Sequence, residues 1–247
     1  MKETRILMGM PVTVVIPNTS DVKKAIDEVF AYFEYIDQTF STYKTTSEIT
    51  KINNGLLLPK DYSKDMKTVF ALSEKTKQET NGYFDIINNQ GKYDPSGLVK
   101  GWAIYNAVLL LKKMGFSNFY VEAGGDIQVQ GKNSRNKSWN VGIKNPFNVK
   151  EIVKMVYLGN NEGVATSGSY ERGNHIYNPK SRQDELANIV SITVIGPTVY
   201  EADRFATATF AMQGEGVNFI EKLNGFEGYM IDNKGIATMT SGFEKYV

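Results

Sequence analysis

Asn118-Phe119-Tyr120-Val121-Glu122-Ala123-Gly124-Gly125-Asp126-Ile127-Gln128-Val129-Gln130 is the stretch on which the fold turns. Two short β-type runs, Asn118–Glu122 and Ile127–Gln130, flank two adjacent glycines. A connection this short leaves no room for a helical crossover, so the two strands pair antiparallel. Further strands are predicted downstream at Trp139–Ile143, Ile152–Leu158 and Ile189–Ile195. A closing hairpin, Gly228–Ile231 with Ile236–Met239, turns on Asp232-Asn233-Lys234-Gly235. Upstream, the apolar stretch Ile6–Ile16 reads as a strand ending at Pro17-Asn18. Helical periodicity predicts four longer helices: Asp21–Gln38 behind a Ser20 N-cap, one from Ser63 to Asn81-Gly82, Gly97–Met114, and Val199–Met212. A shorter helix follows to Leu223. Strands joined by turns and interspersed with helices define an α+β fold, with mixed, largely antiparallel sheets flanked by helices. No repeat and no low-complexity linker divides the chain, so residues 1–247 are expected to form one domain.

Composition narrows the chemistry. Among 247 residues, Lys+Arg is 28 and Asp+Glu is 27, a net charge of +1 that gives no electrostatic footprint for nucleic acid. With no Cys, disulfides, thiolate metal sites, cysteine nucleophiles and lipidated cysteines are excluded. A single His excludes the paired-histidine zinc helix. Any metal must therefore be held by oxygens, which favours Mg²⁺ or Ca²⁺. No apolar run reaches the ~18 residues of a membrane span. Lys2 and Arg5 ahead of Ile6–Ile16 resemble a short signal peptide, but Glu3, Pro11, the β-branched run and the missing cleavage site argue for a strand. The expected location is cytoplasmic, with an exported form whose leader has been removed as the alternative. Rossmann, P-loop and nucleophile-elbow signatures are all missing from the sequence.

Four segments are candidates for chemistry. In Tyr93-Asp94-Pro95-Ser96-Gly97-Leu98-Val99-Lys100-Gly101-Trp102, a turn leads into a helix whose N-terminus suits an anion. A plain Asp cap with a solvated Lys100 is the simpler local reading. In Glu122-Ala123-Gly124-Gly125-Asp126, the glycines permit close approach of a ligand, or merely a tight turn capped by Asp126. Gly163–Ile176 mixes small hydroxyl residues and glycines and carries His175, the only His. In Glu201–Thr209, Asp203 and Thr207 stand i, i+4 on one helix face and offer two hard oxygens, half a Mg²⁺ site. Locally, an exposed Asp beside a back-bonded Thr accounts for them equally simply.

In order along the chain, these segments resemble the ApbE family, the FAD:protein FMN transferases. Met8-Gly9 matches its early Met-Gly, and Phe40-Ser41-Thr42-Tyr43 with Ser47-Glu48-Ile49 and Asn53 matches its FSxY…SEI…N segment. Thr80-Asn81-Gly82-Tyr83-Phe84-Asp85, Asp94–Gly101, Ala123–Asp126, Val164–Tyr170 with His175-Ile176, and Ala202-Asp203 with Ala206-Thr207 complete the series. The resemblance covers nearly the whole chain and implies an ApbE-like, T-fold-like architecture.

It further implies a Mg²⁺-dependent enzyme that cleaves the pyrophosphate of FAD, moves FMN to a Thr or Ser hydroxyl of an acceptor flavoprotein, and releases AMP. The implied metal ligands are Asp203, Thr207 and the carbonyl of Gly97. The implied FAD contacts are Met8, Tyr43, Tyr83, Phe84, Asp85, Asp94, Lys100 and the backbone near Tyr177. A general base is needed for the acceptor hydroxyl; His175 suits it by its ordinary titration range, with Asp94 as the second candidate. Tyr43, Tyr83 and Phe84 have a second reading as core aromatics. Two other functions use the same residues: an FAD pyrophosphatase giving FMN and AMP, and a non-catalytic flavin-binding protein. Against many relatives, the segment Ile86–Tyr93 is short, and Arg204-Phe205 follows the Asp where small residues are usual. Arg204 is left between a phosphate and solvent.

Overall fold

A computed structural model describes residues 1–17, 22–169, 178–181 and 188–247. The apolar stretch near the N-terminus is not one strand. It folds back at Met8-Gly9 into β1 (Lys2–Leu7) and β2 (Met10–Val15), with Leu7 opposite Met10. Met8 and Gly9 have φ of 53° and 72°, the positive pair that a two-residue type I′ hairpin turn demands. Continuous hydrophobicity concealed that turn, because Met is an unusual residue for the left-handed region.

The stretch quoted first forms β3 (Phe119–Ala123) and β4 (Asp126–Gln130), paired antiparallel with Ala123 opposite Asp126. Later strands are β5 (Trp139–Asn145), β6 (Asn148–Leu158), β7 (Gly163–Gly168), β8 (Ile189–Gly196), β9 (Glu227–Asp232) and β10 (Ala237–Met239). Eight of them form one antiparallel sheet, ordered β1-β2-β3-β4-β7-β8-β9-β10, while β5 and β6 pair separately. β7 comes from the start of the segment Gly163–Ile176, and its small residues lie in a central strand.

The helices are α1 (Lys23–Phe40), α2 (Glu48–Asn53), α3 (Lys64–Glu79), α4 (Ser96–Lys113), α5 (Val199–Ala211) and α6 (Gly216–Glu221). The expected Ser20 cap lies outside the described residues. Ser63 does cap α3, its hydroxyl accepting from the Met66 N–H. The short α2 has too few residues for a periodic signal; Ser47 caps it, and Asn53 at its end clamps the backbone of Tyr93 at 2.9 and 2.8 Å. That clamp closes the compact 86–93 turn.

Side-chain alternation divides the sheet into two faces. Val12, Val14, Phe119 and Val121 pack with Phe30, Phe33, Leu98 and Ile104 of the helical layer, and Ile192 and Val194 pack with Phe205 and Phe210. On the opposite face, Val129, Ile195, Tyr229 and Ile231 are covered by Trp139, Val156 and Leu158 of the β5–β6 hairpin and by Phe243. β8 is covered on both faces and is buried at nearly every residue. Among the described residues, no helix is long and apolar enough to cross a membrane.

Candidate active site

The site begins where α4 meets α5. Gly97 and Gly101 lie four apart on α4, Asp203 and Thr207 four apart on α5, so each pair shares one face of its helix. The helices pack in a register that sets Gly97 against Thr207 and Gly101 against Asp203. A Cβ at Gly101 would stand 2.6 Å from the Asp203 Cβ and 2.8 Å from the Val199 carbonyl oxygen; one at Gly97 would stand 2.9 Å from the Thr207 methyl. Glycine is thus what allows this approach. At the N-terminus of α5, Gln128 Oε1 accepts from the Val199 N–H at 2.6 Å, anchoring the helix to β4.

Two contacts follow from this register, one turn of helix apart. The Thr207 hydroxyl donates to the Gly97 carbonyl at 3.2 Å. Asp203 Oδ2 accepts from the Gly101 N–H at 2.7 Å. Lys100 reaches in beside them, its Nζ 3.7 Å from Asp203 Oδ1 and 2.7 Å from Asp126 Oδ2. Lys100 therefore lies in the second turn of α4 and faces two buried carboxylates, rather than solvent or the helix N-terminus. Asp126 is 1% exposed, and its Oδ1 accepts from the Thr166 N–H at 3.1 Å. It is not a surface cap for the glycine turn. Its Oδ2 makes the ion pair with Lys100.

Burial pushes the Asp203 carboxyl up to about 7; Lys100 draws it down, the Asp126 carboxylate raises it further, and the Gly101 N–H lowers it. Among the described residues, these two buried carboxylates face one ammonium. With a carboxylate, a hydroxyl and a main-chain carbonyl, the donor set fits a hard cation such as Mg²⁺. Among the described residues no group of three acidic or His side chains could hold a metal, so a cation here relies on the carbonyl and hydroxyl as well.

The other candidate residues are dispersed. Met8 is half-buried at the β1–β2 turn, and Gly124 in the next turn donates to the Pro11 carbonyl at 3.1 Å. Tyr43 is 97% exposed in the turn between α1 and α2. Tyr83 carries Lys180 over its ring at 4.5 Å, whereas Phe84 is buried core, its ring edge beside Gly97. Asp85 is paired with Lys77 at 2.6 Å. Asp94 Oδ1 accepts from the Ser96 N–H at 3.1 Å, in front of a helix whose Pro95 cap supplies no side chain. His175 and Tyr177 lie outside the described residues. Arg204 reaches neither solvent nor the site; it is 3% exposed and pairs with Glu79 and Glu201, tying α5 to α3.

Two residues of this geometry, Asp126 and Gly101, fall within candidate segments of the sequence but were given no part there in the metal or FAD site. The available signals were an Asp opening a strand after two glycines, and a second glycine four residues after Gly97. A cavity of about 780 Å³ lies between the sheet and the β5–β6 hairpin, lined by Gly9, Pro11, Glu122, Gly124, Gly125, Trp139 and others. That is within the ~300–1,000 Å³ range of small-molecule sites. A smaller cavity shares Gly124 and Gly125 and extends to Asp126 and Thr166.

This arrangement of sheet, helical layer and hairpin is the fold of known flavin transferases. The flavin transferase ApbE from Vibrio cholerae is 20% identical and superposes with a TM-score of 0.85, over 100% of this chain and 99% of that one. The ApbE protein from Thermotoga maritima is 19% identical with a TM-score of 0.87, over 100% and 98%. The ApbE family model matches residues 8–90 and 87–230, and the chain belongs to the ApbE family. Its relatives include the FAD:protein FMN transferase of Haemophilus influenzae, 24% identical over 92% of this chain and 84% of that protein. The enzyme of the same name from Klebsiella pneumoniae is 31% identical over 69% of this chain, which spans about half (53%) of that relative's length.

Proposed function

We propose that this protein is an FAD:protein FMN transferase that uses Mg²⁺ to move FMN from FAD onto a Thr or Ser hydroxyl of an acceptor flavoprotein, releasing AMP. One observation supports the reading: the glycine-permitted register of α4 on α5 sets Thr207 on the Gly97 carbonyl and, one turn away, Asp203 on the Gly101 N–H, with the Lys100 ammonium 3.7 Å from Asp203. Asp203, Thr207 and the Gly97 carbonyl would hold the ion. Bound there, Mg²⁺ would supply Lewis-acid stabilisation of the pyrophosphate charge and of the AMP leaving group.

The chain's own residues do the rest. Asp203 is fixed by the Gly101 N–H, so it is oriented before any ligand arrives. The Lys100 ammonium places positive charge where the substrate phosphates carry negative charge. The acceptor oxygen forms a bond to the FMN phosphorus as the bond to the AMP phosphate breaks, and the hydroxyl proton passes to a base. His175 is the proposed base and Asp94 the second candidate. Met8, Tyr43, Tyr83, Phe84, Asp85, Asp94, Lys100 and the backbone near Tyr177 are the proposed FAD contacts. Phe84 serves from the core, as a wall behind Gly97.

The test is one mixture of protein, FAD, Mg²⁺ and an acceptor domain with an exposed Thr, with AMP followed by chromatography and the acceptor by intact mass. AMP together with an acceptor heavier by one FMN is expected, and Asp203→Ala abolishes both. AMP with free FMN and an unmodified acceptor points to a pyrophosphatase instead. FAD bound without AMP overturns the enzymatic reading.

A further inference from the structure

The Lys100 ammonium and a divalent cation compete for the same carboxylate. Lys100 Nζ stands 3.7 Å from Asp203 Oδ1, one ångström beyond its 2.7 Å contact with Asp126 Oδ2. A lysine stem has four rotatable bonds and covers that difference easily. Asp126 holds its end of that contact from a rigid position. Its other oxygen is pinned by the Thr166 N–H on β7, its side chain is 1% exposed, and its backbone follows two glycines at φ of 56° and 92°. Asp203 is equally fixed, by Gly101.

The geometry points to Asp126 as a positioning residue that tethers Lys100 away from Asp203, leaving Asp203 open to a divalent cation while the ammonium stays beside the site. This inference rests on the metal reading proposed above. It assigns Asp126 no contact with metal or substrate. With Asp126 neutralised, the ammonium shifts onto Asp203 and competes there with the cation. The defect should then belong to Lys100 and vanish when Lys100 is removed.

Mn²⁺ serves as the probe, titrated into the FAD-free full chain and followed by electron paramagnetic resonance, with Asp203→Ala as the non-binding reference. Asp126→Asn is expected to weaken Mn²⁺ binding at least tenfold. Adding Lys100→Met to it should bring affinity back to within about threefold of the wild type, and that recovery also shows that the fold persists. Lys100→Met alone should bind Mn²⁺ as tightly as the wild type or more tightly. If Asp126→Asn binds like the wild type, or Lys100→Met alone binds tenfold more weakly, the tether is wrong. A double variant as weak as Asp126→Asn would make Asp126 a ligand or a structural prop and would equally overturn it. A wild type that binds no Mn²⁺ fails the metal reading itself, a result distinct from the others.

Discussion

Replacing Gly101 with Ala adds one methyl where α4 touches α5, and the structure sets the size of the effect. The new Cβ would lie 2.6 Å from the Asp203 Cβ and 2.8 Å from the Val199 carbonyl oxygen, both on α5. Carbon atoms pack at about 3.5–4.0 Å, so the helices must part by roughly 1 Å. Overpacking of this kind costs about 1–3 kcal/mol, while Ala in place of Gly in a helix interior returns about 1 kcal/mol. The net loss is about 0–2 kcal/mol, which for a chain of this size lowers Tm by no more than roughly 8 °C. Activity should suffer far more. The shift moves Asp203 relative to the Gly97 carbonyl and lengthens its bond from the Gly101 N–H, and a 1 Å misplacement at a reacting centre can cost about 100-fold. Thermal unfolding and AMP release, measured on the same preparation, separate the two effects. Gly101→Ala with wild-type Tm, wild-type Mn²⁺ affinity and more than a tenth of the wild-type rate would refute the argument that this register builds the site.

Asp203 holds its proton up to about 7 in the folded chain but only to about 3.8 when unfolded, so the folded state binds the extra proton between these values. Stability of the metal-free protein should therefore fall as pH rises from about 4 to about 7 and then level off. Asp203→Asn should remove this component from Tm measured in chelator, and an unchanged profile would count against it. Arg204→Met should lower stability by about 1–3 kcal/mol in urea, because the charge-assisted bonds that tie α5 to α3 are lost, a loss limited because the partly exposed Glu79 can rehydrate. AMP release per folded molecule should be unchanged, since Arg204 points away from the site. Asn53→Ala removes both bonds to the Tyr93 backbone and should cost about 1–3 kcal/mol, with faster hydrogen exchange across residues 86–93.

Local chemistry made much of the fold legible. The helix from Ser63 was readable because its cap and its helical period agree, and the β3–β4 hairpin because two turn glycines separate two β-type runs. Three features were not. The β1–β2 turn was concealed inside an apolar run, because Met8 adopts a conformation its side chain does not favour. The helix α2 is six residues long, shorter than its own period can reveal. β7 is composed of small residues that fit a loop and a central strand equally well, and only its pairing with β8 decides.

The sequence by itself restricted this protein to oxygen chemistry, since it has no Cys and one His, and placed Asp203 and Thr207 on one helix face by spacing alone. Motif order identified the family that the fold shares. Tertiary structure decided what those residues meet. Lys100, whose local sequence allows a solvated side chain, turns toward Asp126 and Asp203, and Arg204 turns away to α3. Gly97 and Gly101 act by the close approach of a helix about a hundred residues later in the chain. Helical periodicity and capping are short-range, set by neighbours within a few residues. The charge balance and the register of the site arise from contacts between segments far apart in sequence, which only packing brings together.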